Sequence, residues 1–240
     1  MPASLETIIE LDFGQPPIVE PLKGPVMEAT RASIVGPGTY RRHWLRLRSP
    51  MDSFGIFFQP LGFRQLFGIP GRLLVNKEYA VFDVLDKSSL ELWDLMAEQQ
   101  CFEVRVRIVE EHLIYMAAKA FTCTKVMESA RRILRHRGAV RVREMADQMA
   151  LGLRQYERRF LDEIGIAPKL FARITRYQMA MDLKIAKPTL SWLDIAHEFA
   201  YHDQMHMIKD FQTLSGGSPN VIFSELGDMR PDALAASNLH

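Results

Sequence analysis

Residues 143–168 read REMADQMALGLRQYERRFLDEIGIAP, and residues 193–219 read LDIAHEFAYHDQMHMIKDFQTLSGGSP. The second stretch holds His197, His202 and His206 within ten positions. His202 and His206 are four apart, a spacing at which one helix face can grip a metal. Set side by side, the two stretches suggest something else. Ala146 aligns with Ala196 and Ala150 with Ala200. Past one extra residue in the second copy, Phe160 aligns with Phe211, Gly165 with Gly216 and Pro168 with Pro219, each of these three pairs 51 apart. An internal repeat constrains architecture more than any single motif does. The first copy has no histidine, so the repeated architecture does not require one.

Each copy predicts a helix ending near its second Ala, a tight turn, a second helix ending near the Phe, then a Gly stop and a Pro. Ala146 and Ala196 suit a close crossing of two helices. Tyr156 and Phe160 in one copy, and Met207 and Phe211 in the other, supply the apolar stripe that faces the first helix. This is a helix-turn-helix used twice.

At this level the chain resembles the DNA-binding domain of the AraC/XylS family of bacterial transcription regulators, over about residues 121–225. The first unit of that family resembles LGLRQYERRFLDEIGIAPKLFARITRYQMAM, and its second resembles DIAHEFAYHDQMHMIKDFQTLSGGSP. The resemblance implies a long joining helix, about Pro168 to Ala186. Phe171, Arg173 and Arg176 stand where the family commonly has an aromatic and arginines. Three departures stand out. Ala150 and Ala200 replace the usual turn glycines, although alanine tolerates a left-handed turn poorly. Gly152 replaces a Ser cap, and Gln212 replaces a basic residue after the Phe.

A recognition helix buries one stripe and offers the other to the major groove. In the first copy the outward residues are Arg154, Gln155, Glu157 and Arg158. Arg154 and Arg158 share a face, and arginine can pair bidentately with guanine. The resemblance places base contacts at Arg154, Glu157 and Arg158. In the second copy the helix starts near His202 or Asp203, with Asp203 suited to cap it. Its outward residues are Gln204, Met205, His206, Ile208 and Lys209. Arg173 and Arg176 are expected to add phosphate contacts.

Charge agrees with a polyanion partner for one part of the chain and not for its neighbour. The whole chain is +1 over 240 residues, but residues 125–187 are +8 and residues 188–225 are −4. A basic block points to a polyanion partner, which the family resemblance makes double-stranded DNA. The acidic block weakens phosphate attraction for the second unit.

The first seventy residues read as β structure. In TIIELDF, Ile9, Leu11 and Phe13 alternate with polar residues, YRRHWLRLR alternates too, and SFGIFFQ is a short apolar run. Prolines and glycines punctuate these pieces. From Gly71 the pattern turns helical, with a capping box at Ser88-Ser89-Leu90-Glu91 and a helix over about 103–120. The segment GPGTYRRHWLRLRSPMDSFGIFFQPLGFRQLFGIP resembles the end of a small β-barrel sensor in one subgroup of the same family. Such a barrel has more strands than this region supplies, so the sheet is expected to be open or incomplete. Open edges favour pairing with another chain, hence a homodimer. His43 is expected on the surface.

The reading is therefore an α+β chain. It comprises a β-rich sensor-like region (1–70), a helical connector or dimerisation region (71–120), a double helix-turn-helix domain (121–225) and a tail (226–240). The expected function is sequence-specific DNA binding in transcription regulation, without enzymatic activity, cofactor or bound metal. The resemblance implies RNA polymerase as a partner and a small-molecule effector of unstated identity. Two cysteines cannot build a disulfide framework or a four-sulfur zinc site. No signal peptide or membrane-length apolar run is visible, which points to a cytoplasmic setting. Two alternatives follow from particular residues. An interaction protein that lost specific DNA binding follows from the acidic second unit. A metal enzyme would need the three histidines to converge.

Overall fold

In a computed structural model, which describes residues 2–228, the chain divides into two compact units. The first comprises Glu6–Pro37 and Arg42–Thr124. The second comprises Pro2–Leu5, Gly38–Arg41 and the chain from Lys125 onward.

The first unit is built on two antiparallel sheets. Strands β1 (Thr7–Asp12), β4 (Ala32–Val35), β6 (Ser53–Phe58) and β7 (Glu78–Ala80) form one, in the order β6-β1-β4-β7. Strands β2 (Ile18–Pro21), β3 (Met27–Glu28) and β5 (His43–Arg46) form the other, in the order β3-β2-β5. The alternation of β1 places Ile9 and Leu11 in the core as expected, but the strand is not half-buried: Thr7, Ile8 and Asp12 are buried too. Ile9 lies opposite Ile34 and Ile56, Leu11 lies opposite Ala32 and Phe54, and all six enter or flank one apolar core. Helices α1 (Gly62–Phe67), α2 (Gly71–Leu74), α3 (Val81–Val84), α4 (Lys87–Ala97) and α5 (Phe102–Ala117) add Phe63, Leu74, Val81, Met96 and Val109 to that core.

Two expectations for this region need correction, and a third lies outside the described residues. The stretch after Gly71 is not purely helical, because β7 extends the larger sheet there. Its three residues are too few to show a period. Helix α4 starts at Lys87, one residue before the Ser88 of the expected capping box, and the side chains of residues 87–90 lie outside the described residues. His43 is buried rather than on the surface, and burial, then neighbouring positive charge from the chain terminus and Arg42, pushes its imidazole down to about 4.

Among the described residues, the second unit has no strand after Thr124 and is helical. Its helices are α6 (Lys125–Arg135), α7 (Val142–Gln148), α8 (Leu153–Ile164), α9 (Pro168–Ala186), α10 (Trp192–Glu198), α11 (Gln204–Ser215) and α12 (Pro219–Asp228). Residues 229–240 of the expected tail lie outside the described residues. The N-terminal residues Ala3 and Leu5 are buried in this unit. The Ala3 amide donates to the Leu214 carbonyl (2.9 Å), and the Leu5 amide donates to Gln178 Oε1 (3.2 Å). Arg41 is buried beside them and pairs with Glu225 at 2.7 Å.

Candidate nucleic-acid interface

Helix α9 is the spine of the second unit. Pro168 opens it at a position where proline's missing N–H costs nothing. One end packs Phe171 edge-on to Phe160 of α8, with ring centroids 5.6 Å apart. Towards the other end, Tyr177 meets Phe211 of α11 at 4.7 Å. The two phenylalanines of the repeat thus dock on one helix. Both are fully buried, as are Tyr156, Met207, Ala146 and Ala196.

The two turns are built alike. Leu151 N–H donates to the Ala146 carbonyl, and Tyr201 N–H donates to the Ala196 carbonyl, both at 3.0 Å. This bond back across the helix end requires a left-handed residue just before the donor. Ala150 and Ala200 take that conformation, each with φ of 53°. At the far ends, Gly165 and Gly216 close α8 and α11 with φ of 85° and 78°.

The helix starts differ. Gly152 begins α8 with no side-chain cap. Asp203 caps α11, with its Oδ1 accepting from the His206 amide at 2.7 Å. Ser191 caps α10 in the same way, accepting from the Asp194 amide at 3.1 Å.

On α8, Arg154, Gln155, Glu157 and Arg158 are all exposed, opposite the stripe of Tyr156, Phe160 and Ile164. Arg159 is exposed beside them and was missed in the sequence because it flanks the stripe. On α11, Gln204, Met205, His206 and Lys209 are exposed, whereas Ile208 is half-buried. Arg173 and Arg176 of α9 turn to the protein. Arg173 donates from Nε to Asp210 Oδ1 at 2.9 Å, and Arg176 lies 4.0 Å from Asp210 Oδ2.

The acidic block 188–225 is largely explained by these contacts. Asp194 and Asp203 serve helix starts. Glu198 pairs with Arg137, Asp210 with Arg173, and Glu225 with Arg41. Asp210 is buried and Glu225 half-buried in these pairs, whereas Asp194, Glu198 and Asp203 stand exposed.

The histidines are not gathered. His202 Nδ1 lies 3.0 Å from Asp203 Oδ2, and the His206 ring meets Tyr201 at 5.7 Å. Among the described residues, no group of three or more His, Cys, Asp or Glu side chains could hold a metal.

Residues 145–224 match a family model described as a helix-turn-helix domain. This region is an AraC-type helix-turn-helix domain. The AraC-type domain spans both repeated copies and α9 between them, a third of the chain. Solved structures add a likeness over nearly the whole length. Crystal structures of ToxT from Vibrio cholerae O395 match at a TM-score of 0.52 with 10% identity, covering 92% of this chain and 89% of that one. ToxT of strain SCE256 with a bound unsaturated fatty acid matches at 0.53 with 11% identity, covering 91% and 86%. ToxT bound to (E)-4-(8-methylnaphthalen-1-yl)but-3-enoic acid matches at 0.53 with 10% identity, covering 92% and 90%. At such identities the likeness concerns the fold alone. No curated protein sequence matches the chain. The helix-turn-helix domain itself is of a type found in DNA-binding transcription regulators. Among the described residues, no helix is long and apolar enough to cross a membrane.

Proposed function

We propose that this chain is a sequence-specific transcription regulator that reads the DNA major groove with both helix-turn-helix units. The supporting observation is the shared construction of α8 and α11. Each follows an alanine turn with the same hydrogen bond, docks its phenylalanine on α9, and offers polar side chains on its opposite stripe. Arg154, Glu157 and Arg158 read bases in one part of the site, with Gln155 at the margin and Arg159 on phosphate. Gln204, Met205, His206 and Lys209 read the other part, and Ile208 adds an apolar edge. Arg173 and Arg176 face Asp210 instead of phosphate.

The alternative of an interaction protein rests on the acidic block, and the pairing of Asp210 with Arg173 and of Glu225 with Arg41 weighs against it. Control through the N-terminal unit, by a small molecule or by dimerisation, belongs to the same proposal, as do contact with RNA polymerase and a cytoplasmic setting. One ToxT structure holds an unsaturated fatty acid, which makes a fatty acid the first effector to assay here.

The test is selection of bound duplexes from a random pool. The proposal expects a bipartite site whose two parts lie about one helical turn, ~10 bp, apart. A pool that shows no enrichment after repeated rounds contradicts it.

A further inference from the structure

Asp210 is a carboxylate with 2% of its surface exposed, on the recognition helix of the second unit. An isolated buried charge is strongly unfavourable, so it must be held by opposite charge and hydrogen bonds. Arg173 supplies both, with Nε 2.9 Å and Nη2 2.8 Å from Oδ1. Arg176 adds a second cation 4.0 Å from Oδ2. The guanidinium of Arg176 also lies over the Tyr201 ring, 4.9 Å from its centroid. Tyr201 follows Ala200 in the turn between α10 and α11. The cluster therefore touches α9, the turn and the middle of α11 at once.

We infer that Asp210, held by Arg173 and Arg176, is the positioning residue that sets how α11 presents Gln204, His206 and Lys209 to DNA. This rests on the DNA-reading function proposed above.

Geometry carries the inference. Phe211, the next residue, fixes how close α11 lies to α9 through Tyr177, but an apolar contact tolerates rotation about the helix axis. A directional bond from a planar guanidinium to a carboxylate does not. Rolling α11 by one residue would carry Asp210 off Arg173 and bring Lys209 or Phe211 towards the cations. The ion pair thus selects one rotational setting, as a buried polar group can specify register. Oδ2 of Asp210, Nε of Arg176 and the Tyr201 hydroxyl are buried without a hydrogen-bond partner. The setting therefore depends heavily on the single Arg173–Asp210 contact. No equivalent exists in the first unit, where α8 has leucine, Leu161, after Phe160, and arginine, Arg159, before it.

The experiment uses the full chain and a duplex selected by the wild type. Binding isotherms over a salt series, and a repeat selection, are made for Asp210→Asn, Arg173→Met, Arg173→Lys and the double variant Asp210→Asn/Arg173→Met. Positions read by the first unit are marked as those whose preference changes in Arg158→Ala. Asp210→Asn and Arg173→Met should each weaken binding on the order of tenfold. They should flatten preference only outside the marked positions and leave the salt slope unchanged. The double variant should be no weaker than either single one, since both remove one contact. Arg173→Lys keeps the charge but loses the fork, and should fold as the wild type while flattening the same positions partially. If the Met variant does not fold by circular dichroism, the Lys variant decides.

The inference is overturned if Asp210→Asn and Arg173→Lys leave preference unchanged. It is also overturned if Arg173→Met lowers the salt slope by about one, the mark of a phosphate contact. A wild-type chain that selects no sequence defeats the function proposal itself, which is a different result.

Discussion

Ala150 and Ala200 occupy equivalent places after α7 and α10, and both have φ of 53°. The next residue in each case, Leu151 or Tyr201, reaches back to Ala146 or Ala196. Left-handed backbone is costly for alanine and nearly free for glycine. Ala150→Gly and Ala200→Gly should each raise stability by about 0.5–1 kcal/mol, after allowing for glycine's greater freedom when unfolded. Urea titration of the single variants checks this. A loss of stability in both would mean that the turn conformation is set by something other than this bond.

Gly152 starts α8 in extended backbone, and a Cβ built there meets nothing within 4 Å. A serine at this position can accept from the next turn's free amides. Gly152→Ser should gain a few tenths of a kcal/mol, read as a small rise in melting temperature. The corresponding loss in the second unit, Asp203→Ala, should be larger, about 1 kcal/mol, because it removes an existing bond to the His206 amide.

Glu10 lies on β1 between Ser33 of β4 and Gly55 of β6. Burial first, then the charges of Glu78 and Asp12, push its carboxyl from the ordinary 4.5 up to about 7. A raised folded-state value means that stability is full below about pH 4.5 and falls as pH rises through 7. The loss is on the order of 3 kcal/mol. His43 acts in the opposite sense, since its lowered value costs stability as pH falls from 6.5 towards 4. Glu10→Gln should therefore gain stability relative to the wild type at pH 8 and gain little at pH 4.5. Urea titrations at the two pH values compare them. An equal difference at both would contradict a Glu10 carboxyl raised to about 7.

The helical unit was legible because its signals are local. Pro168 marks the start of α9, Gly165 and Gly216 mark two helix ends, and Asp203 sits where a cap belongs. The exposed stripe of α8 follows from the positions of Tyr156 and Phe160 alone. What the sequence hid depends on partners far along the chain. Nothing near Asp210 in the sequence marks it as buried, because its partner Arg173 lies 37 residues before it. Arg173 and Arg176 read as phosphate contacts for the same reason. Ala3 and Leu5 carry no sign that their amides bond to α9 and α11. Ile208 is half-buried because α11 exposes a narrower stripe than an isolated helix would.

We propose that the chain reads DNA chiefly through the first unit. Arg154, Arg158 and Arg159 stand exposed on α8, while Lys209 is the exposed cation of α11 among the described residues. Phosphate attraction and its salt slope follow the cations presented. The measurement is a pair of binding isotherms, for Arg158→Ala and Lys209→Ala, on one selected duplex at two salt concentrations. Arg158→Ala should cost about 1–3 kcal/mol and relax preference at one base pair, while Lys209→Ala should cost less. A larger loss for Lys209→Ala, or no loss for either, contradicts it.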